Sequence, residues 1–176
     1  DDLAKGDCGL AVVAGVQCNI LAETFVALCQ MRALAPDGLC KAFDARADGY
    51  GRGEGVAALV AMRLADAAAQ GRRVLAVVLG SAVNHDGRSS GFTTPNGPAQ
   101  EAVYGAALRR AGVRAVDVGL IEAHGTGTAL GDPIEVGSLA AVYGPGSGRS
   151  SAEPLVLASV KTNIGHLEGA AGIAGL

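Results

Sequence analysis

Tryptophan is absent from the 176 residues, and phenylalanine and tyrosine supply only three residues each. The 49% apolar content is therefore mostly alanine, valine and leucine, small and branched groups that suit layers of helix on sheet. No basic run exceeds the pairs Arg72-Arg73 and Arg109-Arg110, and the net charge is −3. Such a chain offers no footprint for a phosphate backbone, so nucleic-acid binding is not expected. No apolar stretch reaches the ~20 residues that a membrane helix needs, and the start lacks a basic-then-apolar leader. A soluble, intracellular and cytoplasmic protein is the expectation. Cys8, Cys18, Cys29 and Cys40 include no C-x-x-C pair, which disfavours zinc, and they are too sparse for a disulfide scaffold. Buried or loop thiols are expected. An initiating methionine is missing too, and the pattern opens in a polar turn and stops within a helix, as a piece of a larger domain would.

Glycine, by contrast, is abundant, and the chain is organised around a stretch that uses it: Val118-Gly-Leu-Ile-Glu-Ala-His-Gly-Thr-Gly-Thr-Ala-Leu-Gly-Asp-Pro133. Val118 to Ile121 is too short and too β-branched for a helix, whereas Asp132-Pro133 is a cap and first-turn pair that opens one. Strand, tight turn, helix is the reading. In open α/β sheets such a turn lies at the carboxyl edge of the strand, where ligands bind. His124 therefore faces a pocket. The device recurs in Pro154-Leu-Val-Leu-Ala-Ser-Val160, followed by Lys161-Thr-Asn-Ile-Gly-His166 and an Ala/Gly-rich helix start over 167–176. Two parallel strands would bring His124 and His166 to one edge of one sheet. Either histidine alone would more often be a loop or core residue, but together, with Lys161 beside one of them, they favour chemistry.

Elsewhere the pattern predicts a strand over 10–14 ending at Gly15, a helix or helix plus loop over 20–34, and a turn at 35–39. A glycine-rich loop at 43–55 feeds a strand over 56–63. It lacks a Gly-Lys-Ser/Thr ending and precedes a strand, so it is not a nucleotide loop, and its charged residues serve to hold it near the pocket. A helix over 64–70 closes at Gly71, and a strand over 74–79 follows. His85, in the next loop, reads as a solvent-facing turn residue. Residues 87–98 form a long loop, and 99–111 an amphipathic helix with Val103, Tyr104, Ala107 and Leu108 on one face. The next helix runs to about Tyr143, and 144–153 is a flexible surface linker. Cys18, just past the first strand, has no small-residue nucleophile elbow and reads as a plain loop cysteine.

Two imidazole N–H groups converging from separate strands suit a reaction that builds negative charge on a thioester oxygen, as when a malonyl group loses carbon dioxide. The Lys161 ammonium would hold His166 neutral, because like charges disfavour its protonation. Thr126 and Thr128 could bind the amide-bearing arm of a carrier-linked thioester or only satisfy turn backbone groups.

At these residues the chain resembles the β-ketoacyl synthase domains of modular type I polyketide synthases. The resemblance rests on His124-Gly-Thr-Gly-Thr128 with Gly131-Asp-Pro-Ile-Glu135, on Lys161-Thr-Asn-Ile-Gly-His166, on Asp48-Gly-Tyr-Gly-Arg-Gly-Glu-Gly55, and on Asp86-Gly-Arg-Ser-Ser-Gly91 with Thr94-Pro-Asn-Gly97. It implies an α/β, thiolase-like fold of layered α-β-α-β-α type, with 1–90 closing the first half of the domain and 91–176 opening the second. It implies decarboxylative Claisen condensation of a carrier-bound acyl chain with a malonyl-type extender. His124 and His166 match the family's histidine pair, Lys161 its supporting lysine, and Thr126 and Thr128 its contacts to the pantetheine arm. Phosphopantetheine would enter as that arm, with no cofactor or metal of the domain's own. An acyl carrier protein, neighbouring domains such as an acyltransferase, and a second copy in a homodimer are the implied partners. The family's nucleophilic cysteine would precede Asp1 and its later glycine-rich loop would follow Leu176, so these residues alone should be inactive. The alternatives are a non-elongating scaffold or acyl-transfer domain, and another thioester enzyme, such as a hydrolase, that uses Cys18.

Overall fold

The computed structural model describes residues 2–89, 91, 94–150 and 152–176. Its elements in chain order are α1 (Asp2–Lys5), β1 (Ala11–Gln17), α2 (Ala22–Gln30), β2 (Gly55–Ala61), α3 (Leu64–Ala69), α4 (Gly97–Ala111), β3 (Leu120–Glu122), α5 (Gly131–Tyr143), β4 (Val156–Ala158), α6 (Lys161–Ile164) and α7 (Ala171–Ala174). Ser90 of the Asp86–Gly91 motif and Ser151 of the linker lie outside the described residues.

β3 and β4 pair in parallel, Leu120 with Val156, Ile121 with Leu157 and Glu122 with Ala158. Behind them lies the core, Ala123, Leu139 and Tyr143, packed by Tyr104 and Leu108 of α4, by Ile121, and by Leu157. The rings of Tyr104 and Tyr143 meet at a centroid distance of 6.2 Å, within the range of a favourable tilted pair. Helix α4 begins where Asn96 accepts from the Ala99 N–H and ends at Gly112 in the left-handed region, so both predicted boundaries have a cap.

β1 and β2 form an antiparallel ribbon from Ala11–Ala61 to Gln17–Gly55. The first strand, expected to be short, buried and ended at Gly15, instead runs through Gly15 and leaves Val12, Val13 and Val16 exposed. A Cβ at Gly15 would lie 2.9 Å from Ile173 Cγ2 and 3.0 Å from Ala170 Cα, so its bare backbone is the floor on which the last turns of the chain sit.

Two further expectations need correction. Residues 74–79 form no strand: they have no ladder partner among the described residues, and Leu75 and Val78 remain exposed. A β-branched run makes a strand only when a neighbour accepts its hydrogen bonds. Of the two readings of 20–34, the helix plus loop is the one found: α2 spans Ala22–Gln30, then Arg32 turns left-handed at φ 54° and Leu34 leaves to bridge with Tyr50. The 144–153 linker is also tied down. Arg149 donates to the carbonyls of Tyr143, Ala115 and Val118, joining the linker to the core helix and to the approach to β3.

Candidate active site

Two loops leave the ends of β3 and β4, and each carries a histidine. The Ala123 N–H donates to Ala158 O at 2.8 Å, which ties the two strand ends together. Beyond that tie, the rings of His124 and His166 stand edge to face, with centroids 5.5 Å apart and planes at 83°.

The His124 loop closes on carboxylates of the helix that follows it. Glu135 accepts from the His124 N–H at 2.6 Å and from the Gly125 N–H at 2.8 Å. Asp132 accepts from Gly127 and Thr128 at 3.1 and 3.3 Å, and its other oxygen takes the Phe43 N–H at 2.7 Å. Both carboxylates are buried near the start of α5, where unpaired backbone N–H groups and the helix dipole favour negative charge. The turn needs glycine. Gly125 and Gly127 have φ of 44° and 80°, and a Cβ on either would come within 2.7 Å of its neighbours, Ser159 Cβ and Lys41 N respectively.

His166 is gripped from the opposite side by the 43–55 loop. Its N–H donates to Gly51 O at 2.7 Å, and its carbonyl accepts from Gly53 N–H at 3.0 Å. On that side a Cβ at Gly53 would lie 2.3 Å from Ile164 O, and on the other side of the loop a Cβ at Gly51 would lie 1.8 Å from Gly38 O in the 35–39 turn. The glycine-rich loop, expected to be held near the pocket by its charged residues, is therefore the seat of one histidine. Nδ1 of His166 accepts from the Glu168 N–H at 2.9 Å, and since a backbone N–H can only donate, the neutral ring carries its proton on Nε2. The ring also faces Tyr50 at 5.0 Å.

Lys161, at the start of α6, is buried, with no ion-pair partner among the described residues. Its charge acts on both rings. Burial lowers the His166 pKa to about 4, with Lys161 and then His124 adding to the shift and Glu168 opposing it. His124 is lowered as well, by its surroundings first and Lys161 second, against Glu135 and Asp132. Lys161 acts in the expected direction, but burial is the larger cause. At neutral pH both rings are uncharged donors.

Thr126 is buried and Thr128 half-buried, with their hydroxyl oxygens 3.3 Å apart. Thr128 Oγ1 accepts from the Gly131 N–H, so one of the two at least satisfies the turn. His85 is exposed, and its Nδ1 accepts from Gly87 N–H within its own turn. All four cysteines are free thiols. Cys18 is exposed, and Cys40 is buried against Gly51, whose N–H donates to its sulfur. Burial raises the Cys40 pKa, which leaves it a thiol. Among the described residues no cysteine is hydrogen-bonded to either imidazole ring and no group of His, Cys, Asp and Glu is placed to hold a metal ion. No helix among them is long and apolar enough to cross a membrane.

Glu135, Asp132, Arg52 and Glu168 were not singled out in the sequence as parts of the site. For Glu135 and Asp132 a signal existed, since acidic residues in the first turn of a helix sit under the loop that enters it. Arg52 and Glu168 meet across 116 residues, with no local signature.

Comparison with known proteins fits this geometry. The family model described as the C-terminal domain of β-ketoacyl synthase matches residues 75–176, and the N-terminal domain of the same family matches 1–67. An erythronolide synthase of Saccharopolyspora erythraea is 56% identical over 174 residues, and a mycoketide-CoA synthase of Mycobacterium tuberculosis is 53% identical over 174. Each alignment takes in 99% of this chain but only 5% and 4% of the relative's length. Among solved structures, the ketosynthase from module 6 of the bacillaene synthase of Bacillus subtilis superposes with a TM-score of 0.93 at 36% identity. A Streptomyces albus oxazolomycin ketosynthase domain does so at 0.92 and 42%. Both cover 99% of this chain, which spans 31% and 30% of theirs. The fold is thus the thiolase-like α/β fold of ketosynthases, and the chain belongs to the β-ketoacyl synthase family, among the ketosynthases of polyketide synthases.

Proposed function

We propose that the protein forms part of a condensing enzyme that extends a carrier-bound acyl chain by decarboxylative Claisen condensation, closing the first half of the domain and opening the second. The observation that carries this reading is the edge-to-face pair of depressed-pKa histidines beside a buried lysine. When a malonyl thioester loses carbon dioxide, the electrons of the breaking C–C bond pass into the thioester carbonyl and leave an enolate. His124 and His166 donate N–H bonds to that oxygen, and Lys161 adds positive potential and keeps both rings neutral. The enolate carbon then attacks the acyl thioester carbonyl, and the enzyme thiolate leaves.

That thiolate comes from a residue other than these four cysteines. Cys40 is a buried thiol, and Cys18 joins neither histidine, which disfavours a hydrolase built on it. The chain alone is therefore expected not to condense. Thr126 and Thr128 contact the phosphopantetheine arm, which enters with the substrate, and no separate cofactor is used. An acyl carrier protein and neighbouring domains such as an acyltransferase deliver the two substrates to a cytoplasmic homodimer.

The test is to incubate a complete ketosynthase domain containing this segment with an acyl thioester and malonyl-loaded carrier. Carbon dioxide and a β-ketoacyl carrier are expected in equal amounts. A domain that takes up the acyl group but releases neither is a transfer station or scaffold, and the proposal fails.

A further inference from the structure

Glu168 combines three features that the proposed reaction does not call for. It adopts φ 37°, the left-handed region, although it is not glycine. Its backbone N–H is the donor that occupies Nδ1 of His166. Its carboxylate is tied by more partners than a surface glutamate needs: Arg52 Nε at 2.7 Å, Arg52 Nη2 at 2.8 Å and Gln17 Nε2 at 2.8 Å, with the Tyr50 hydroxyl at 3.4 Å. Arg52 is immobilised in turn. Its side chain is 4% exposed, its guanidinium lies 4.4 Å over the Phe25 ring, and its backbone bridges to His166 itself. Nη1 is buried without a partner among the described residues, and the guanidinium engages Glu168 through its other edge.

Left-handed backbone is costly for a residue with a side chain and persists where surrounding contacts over-determine it. Here those contacts are a two-pronged arginine–carboxylate pair anchored on the glycine loop, the geometry that a planar guanidinium supplies and an ammonium does not. If Glu168 relaxed to a right-handed conformation, its N–H would turn away from the imidazole. Nδ1 would then be free to take the proton, and the Nε2–H donor would be lost from part of the population.

We propose that Arg52 and Glu168 are positioning residues: their pair holds the Glu168 N–H on His166 Nδ1 and so fixes His166 in the Nε2–H tautomer. The inference rests on the functional reading above for its consequence, but not for its structural content. Neither residue touches the reacting atoms, and each acts through His166.

The experiment uses a complete ketosynthase domain containing this segment, with histidines labelled with nitrogen-15, and compares wild type with Glu168→Ala, Glu168→Gly, Glu168→Gln and Arg52→Lys. In wild type at neutral pH, His166 shows one tautomer, unprotonated at Nδ1. Glu168→Ala and Arg52→Lys mix the tautomers and lower kcat for malonyl-carrier decarboxylation about 10-fold, the scale on which losing an outer partner of a functional histidine acts, with KM unchanged. Glu168→Gln keeps an acceptor for Arg52 and recovers most of the loss. Glu168→Gly removes the clamp together with the cost of positive φ, so it retains more of the Nε2–H tautomer than Glu168→Ala does. A single Nε2–H tautomer with unchanged kcat in Arg52→Lys, which keeps the Glu168 side chain and its strained backbone, would overturn the proposal. If wild type releases no carbon dioxide, the functional reading fails, while the tautomer measurement still decides on the clamp.

Discussion

The two histidines differ in what holds them. His124 is positioned through its backbone, by Glu135 under its N–H, and no hydrogen bond fixes its ring among the described residues. His166 is held at its N–H, its carbonyl and Nδ1, which leaves Nε2 as its single free function. The pH consequence follows from the depressed pKa. An unfolded histidine takes up a proton near 6.5, whereas folded His166 does so only at about 4. Between these values the unfolded state binds more protons, so the contribution of His166 to stability is complete above 6.5 and is lost as pH falls toward 4. Nuclear magnetic resonance titration of a complete domain is expected to show His166 uncharged at pH 5.5. A midpoint near 6.5 would mean that burial and Lys161 do not act on the ring as described.

At the level of elements, the strand–turn–helix units around His124 and His166 were legible because their signals are local: a β-branched run, glycines in the turn, Asp132-Pro133 at the helix start. The 43–55 loop was legible as a glycine-rich loop held near the pocket by its charged residues, but not as the seat of His166, because its hydrogen bonds reach more than 100 residues ahead. Residues 74–79 had the composition of a strand but have no ladder partner among the described residues. Pairing, unlike propensity, is not written in the segment itself. The loop predicts its own sensitivity. Gly51→Ala places a methyl within 1.8 Å of Gly38 O, a backbone atom that cannot step aside, and so displaces the carbonyl that receives the His166 N–H. A loss of about 3 kcal/mol, the scale of severe overpacking, is expected in the unfolding free energy of a complete domain measured by denaturant titration. Gly38→Ala is a control for a substitution with nothing within 4 Å, although its φ of 72° adds backbone strain. Equal stability of Gly51→Ala and wild type would show that the loop does not approach as closely as described.

Across the whole molecule, the two parts matched by the family's domain models contribute one side of the site each. Tyr50, Gly51 and Arg52 from the first part close on His166 and Glu168 from the second, and Gly49 bonds to Gly127 of the His124 loop. The apolar surface around β1 and β2 remains uncovered, with Val12, Val16, Val56 and Val60 all more than 60% exposed. A chain that spans about a third of its solved relatives has that face available for the remainder of such a domain. The central claim is that the histidine pair stabilises the charge that develops as carbon dioxide leaves, and it is tested most directly by malonyl-carrier decarboxylation in a complete domain carrying His124→Ala. Loss of one such donor is expected to lower the rate about 100-fold or more, with the carrier still bound and the enzyme still acylated. Decarboxylation at the wild-type rate in that variant would contradict the account.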